Sequence, residues 1–75
     1  MVRITNIGRD TNAIWCNYFP EGQPPSGFIK IDIKSQEVVQ HKVSGSETYA
    51  YHVILRLSEL QEAETLPKAT TAIWY

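Results

Sequence analysis

The sequence predicts an α+β domain of order ββββαβ: a four-stranded antiparallel meander, one amphipathic helix and a C-terminal strand, with the helix packed on one sheet face. Three observations lead there. Up to Val43 the chain breaks into short runs of β-type alternation separated by turn residues, after Ser44 the apolar period lengthens to that of a helix, and the last six residues return to β-rich composition.

Val2 to Ile7 alternates, with Val2 and Ile4 on one side of the pleat and Arg3 and Thr5 on the other. Gly8-Arg-Asp-Thr-Asn12 then supplies turn chemistry for a hairpin. Ala13 to Phe19 is aromatic and branched, and it stops at Pro20. The following Pro20-Glu-Gly-Gln-Pro-Pro-Ser-Gly27 is too dense in Pro and Gly for regular structure. Gly27 to Ile33 places Ile29, Ile31 and Ile33 on one face and Phe28, Lys30 and Asp32 on the other. Lys34-Ser-Gln36 turns the chain into a fourth strand, Glu37 to Val43. Ser44-Gly-Ser-Glu47 reads as a helix start, with either Ser44 in a capping box with Glu47 or Ser46 as the cap. From Glu47 to about Ala63, an advance of about 100° per residue gathers Tyr49, Ala50, Val53, Ile54, Leu57 and Leu60 into one arc, with His52, Arg56 and Glu59 opposite. Pro67 and its neighbours end the helix, and Thr70 to Tyr75 has strand composition.

With 75 residues, the chain is read as a single domain, 1–75, with a core that covers about 60% of the surface its unfolded form exposes. Apolar residues at 43% and charged residues at 20% place it among chains that fold. A domain this small, with no disulfide, gains from associating with a second copy, so a homo-oligomer or another protein partner is expected. The lone Cys16 cannot form an internal disulfide and points to a reducing compartment, read as the cytoplasm. The first residues lack the apolar stretch of a signal peptide, and no run reaches membrane-spanning length, so no membrane partner is expected.

The three isoleucines of the third strand, with Val39 and Val43 of the fourth, are the expected partners of the helix. The second strand raises a different question, because both of its faces are apolar or aromatic: Ala13, Trp15 and Phe19 on one side, Ile14, Cys16 and Tyr18 on the other. A solvated face is normally polar. With Phe28 and either Trp74 or Tyr75 added, the face away from the helix becomes a candidate contact surface, unless strand twist, the long loop and the terminal residues cover the rings within the monomer. The expected interaction residues are Trp15, Phe19, Phe28, Lys30 and Trp74. Tyr51 and Leu55 join them as a helical i, i+4 pair at about 100° and 140° from Ala50, outside the arc that faces the sheet.

No motif assigns an activity. Cys16 as a nucleophile would need His41 or His52 close by as a base, and nothing in the spacing provides that, so a packing role is preferred over a thiol-dependent enzyme. His41 is expected as a half-buried, hydrogen-bonded ring and His52 as an exposed one. Two histidines and one cysteine without paired spacing form no metal motif, and the four isolated glycines form no phosphate loop, so no metal and no cofactor are expected. The carboxylates lie in turns or on the solvent side of the helix. The function expected is therefore that of a small non-enzymatic protein-interaction domain that binds itself or a partner through its aromatic sheet face. A single-stranded nucleic-acid binder using Phe28, Trp15, Lys30 and Lys42 is the alternative, held back by a net charge of -1.

Overall fold

A computed structural model of the chain describes residues 1–74, and Tyr75 lies outside them. The order is β1 (Val2–Arg9), β2 (Ala13–Pro20), β3 (Gly27–Asp32), β4 (Val38–Lys42), α1 (Glu47–Leu60) and β5 (Thr70–Ala72). All pairings are antiparallel, and the strands lie in the order β4-β3-β2-β1-β5, so the last strand closes the far edge of the meander beside β1. The expected ββββαβ arrangement is the one adopted.

The turns follow from local chemistry. Asp10 Oδ1 accepts the N–H groups of Asn12 (2.7 Å) and Ala13 (2.8 Å), which closes the first hairpin. Asp32 Oδ2 accepts the Ser35 N–H at 2.7 Å and starts the third turn. β1 runs two residues beyond Ile7 because a bulge between Thr5 and Gly8, with Asn6 at φ 51°, lets the strand bend and continue pairing. The bulge brings Arg9 opposite Ile14 on the helix side, where its guanidinium donates to the carbonyls of Leu60 (2.8 Å) and Gln61 (3.2 Å). A cation is thus placed at the helix C-terminus, where the last carbonyls lack partners and the dipole is negative.

The core lies between α1 and one sheet face. Val2, Ile4, Ile14, Cys16, Tyr18, Ile29, Ile31, Val53 and Leu57 are buried, and Ala50 and Ala72 join them. Each large aliphatic side chain so enclosed contributes roughly 1.5–3 kcal/mol. The helix begins after Ser46, whose side chain makes no capping bond. Ser44 is buried instead, and its hydroxyl donates to the Pro25 carbonyl at 2.6 Å. It therefore ties the long loop to the helix approach rather than capping the helix.

Tyr18 is the other tie. Its ring lies directly beneath Gly27, where an added Cβ would come within 2.3 Å of it, so only glycine allows the β3 backbone to approach. Its hydroxyl accepts the Ser44 N–H at 3.1 Å and lies 2.9 Å from His41 Nε2, to which it donates when that nitrogen is bare.

Three expectations about packing are corrected. Val39 and Val43 are not helix partners: they are 57% and 65% exposed, and every residue of β4 is exposed. A helix about 10 Å wide covers about two strands at ~4.8 Å spacing, and α1 lies over β1, β2 and β5, at the other side of the sheet. His41, on the same strand, is hydrogen-bonded as expected but exposed rather than half-buried. His52 is the converse case, half-buried because its ring stacks on Trp74 at 3.9 Å between centroids.

Replacement of Tyr18 by Phe keeps the ring and strands the Ser44 N–H, so it should lower unfolding free energy by about 1–3 kcal/mol in chemical denaturation. Asp10 and Asp32 are held below the ordinary carboxylate range, in each case mainly by the backbone N–H they accept, from Asn12 and from Ser35 respectively. Their charged forms are favoured in the fold, so the stability they contribute is complete above about pH 4 and is lost as pH falls through the lower folded values. A double variant, Asp10→Asn with Asp32→Asn, should flatten the acid limb of a thermal-melt series below pH 4 relative to the parent chain.

Candidate functional site

Among the described residues, no element forms a second layer over the sheet face turned away from α1. β2 supplies Trp15, Asn17 and Phe19 to it, and β3 supplies Phe28 and Lys30, all half-buried. The antiparallel registers pair Arg3 with Phe19, Trp15 with Lys30, and Phe28 with Lys42. Each of the three rings therefore has a cation directly across on the neighbouring strand, and Lys30 Nζ lies 5.7 Å from the Trp15 ring centroid. Pairs of this kind contribute a few tenths to about 1 kcal/mol to a sheet, so part of the arrangement is ordinary strand pairing.

The rings form a triangle. Trp15 and Phe19 are four residues apart on β2, about 13 Å at strand rise, and Phe28 lies between them on β3, opposite Asn17. Asn17 Nδ2 donates to the Gly27 carbonyl and its Oδ1 accepts from Asn6 Nδ2, both at 3.2 Å, which fixes the polar centre of the triangle. Trp15 leans onto β1: a Cβ at Gly8 would lie 2.3 Å from its Nε1, so the indole covers bare backbone at the bulge. Most carboxylates lie elsewhere, the exceptions being Asp32, on the same side of the pleat as Lys30, and Asp10, close enough to Lys30 to feel its charge. Glu47 and Glu59 are on the helix, Glu62 and Glu64 follow it, Asp10, Glu21 and Glu37 are in turns, and Asp32 at the end of β3 is engaged by Ser35.

Of the residues expected to interact, Trp15, Phe19, Phe28 and Lys30 share this open face. Trp74 does not. Ala72 pairs with Val2 and is buried, so pleat alternation returns Trp74 to the helix side, where it also meets Tyr49 edge-on at 5.6 Å. Tyr51 and Leu55 are exposed, at 59% and 43%, on α1, across the sheet from the open face. Arg3 and Lys42 complete the site, and strand register sets which ring each of them stands opposite.

Cys16 lies in the core and its thiol is pushed up to about 12 by burial. His41 is occupied by Tyr18, and His52 lies against Trp74. A thiol so placed is protonated at neutral pH and lacks a base. Among the described residues there is no enclosed pocket, and no three of His, Cys, Asp and Glu come together as metal ligands. No helix among them is long and apolar enough to cross a membrane. The structure defines a class, a single antiparallel sheet with a helix on one face and an open aromatic-cationic face on the other. No protein-family model, curated protein or solved structure matches the chain.

The Cys16 environment sets an expectation for reactivity. Alkylation of the native protein by iodoacetamide at pH 8 should be at least about a hundredfold slower than in denaturant, because a thiolate must form in the core before it can attack. Equal rates would place the thiol at the surface.

Proposed function

We propose that the chain is a non-enzymatic binding module that takes a protein partner on its open sheet face. The observation that carries this reading is the placement of three half-exposed rings, each opposite a cation, on a face with no covering layer. Aromatic and arginine side chains of this kind supply most of the energy in protein interfaces. The protonated, enclosed state of Cys16 supports leaving catalysis out of the reading.

Charge narrows the partner. In a two-fold contact of this face with its own copy, Arg3, Lys30 and Lys42 would meet cations of the same patch, an arrangement that costs association energy. A different chain, with carboxylates among apolar side chains, complements the face better. The same ring-cation pairs favour one second reading, a short single strand of nucleic acid, since bases stack on exposed rings while Lys and Arg neutralise phosphates.

One titration tests both. In a Trp74→Phe chain, Trp15 is the only tryptophan and reports on the open face. An acidic peptide containing Tyr and Leu should change its fluorescence saturably, and the pair Phe19→Ser with Phe28→Ser should abolish the change without unfolding the sheet. A thymidine octanucleotide that quenches more strongly, with affinity falling as salt rises, would establish the second reading instead. Silence towards both probes at low salt would overturn the proposal.

A further inference from the structure

The helix side of β4 is a second uncovered surface, distinct from the open face. β4 is a sheet edge, so one row of its backbone N–H and C=O groups has no partner strand. The other edge, β5, is only three residues long, and Arg56 already donates to its Thr71 carbonyl at 3.5 Å. Seven large hydrophobic side chains are exposed among the described residues, and three of them, Val38, Val39 and Val43, lie on or directly after β4. Val38 is opposite Ile31, and His41 is opposite Ile29, both on the helix face.

We infer that two copies of this chain join antiparallel along β4, edge to edge, into one continuous ten-stranded sheet. Of the registers that keep every pair to one face of the pleat, one matches both Val39 and Val43 with valine. With His41 opposite its own copy on the two-fold axis, Val39 faces Val43 of the second copy, Gln40 faces Lys42, and every pair keeps to one face of the pleat. On the helix side valine meets valine on either flank of the His41 pair, and on the other side an amide meets an ammonium. A shift of one residue puts Val39 opposite Lys42 and Gln40 opposite His41, pairing residues of opposite faces. Lys42 and the bulge at Val38 and Val39 are features that discourage indiscriminate edge pairing. In the two-fold register Lys42 is opposite Gln40 and not its own copy. The open face is left free, which lets one assembly display two such faces on the same side of the extended sheet.

The contact is small, so reversible association in the micromolar range is expected, measurable by sedimentation equilibrium of the full chain from about 10 to about 500 μM. Val39→Lys with Val43→Lys places like charges opposite each other twice per dimer and should weaken association by about tenfold or more. Val39→Lys with Val43→Glu uses the same exposed positions, turns both contacts into ion pairs, and should restore it. Phe19→Ser with Phe28→Ser should leave the dimer intact, which separates this edge from the open face. A parent chain that is monomeric throughout the range overturns the inference. So does a dimer indifferent to the two lysines, or one that the Lys-Glu pair fails to recover.

Discussion

The hydroxyl of Tyr18 organises the half of the molecule that the helix does not reach. It is the buried end of a core side chain, and it collects the Ser44 N–H and the His41 ring at 3.1 and 2.9 Å. Ser44 in turn holds the Pro25 carbonyl. Through two residues, therefore, the central strand fixes the long loop, the last residues of β4 and the approach to α1. The ring beneath the hydroxyl requires glycine at position 27, so the same residue also sets how closely β3 lies against β2. A loop rich in Pro and Gly needs such a tie, because it has few backbone bonds of its own.

Both candidate surfaces follow from a second constraint, the mismatch between one fourteen-residue helix and a five-stranded sheet. A single helix covers one face, and only part of that. The helix is drawn towards β5 by Arg9 at its C-terminal carbonyls, by Arg56 on Thr71 and by the stack of His52 on Trp74. Each interaction is modest, but all lie on the same flank. What remains is a bare aromatic face on one side and a bare apolar edge strand on the other.

The two surfaces differ in chemistry, and the difference gives them different partners. The open face carries cations in register with its rings, which penalises contact with itself. The helix side of β4 carries valines around one histidine and pairs with itself without conflict. Association through the edge and binding through the face are thus compatible in one assembly, since the edge contact draws only Lys42 from the open face and leaves its three rings exposed.

Much of the fold could be read from residues in order. Alternation located four strands, the change of period located the helix, and the two-sided β2 marked the face that needed explaining. The pleat also put Val39 and Val43 on the helix side of the fourth strand. What it could not say was whether the helix reached them, because side-chain periodicity defines a face and not the element that covers it. Trp74 failed for a related reason: its face depends on the register of β5 against Val2, a contact between residues 70 apart in the chain. Arg9 and Ser44 were invisible as ties, since a bulge re-aimed the first and a loop carbonyl claimed the second. The sequence by itself determined the elements, their order and the amphipathic face of each, because those depend on neighbours within a few positions. Only the tertiary structure decided which strands the helix covers, which cation stands opposite which ring and which edge is left open, because registers and helix position are set by contacts between distant parts of the chain.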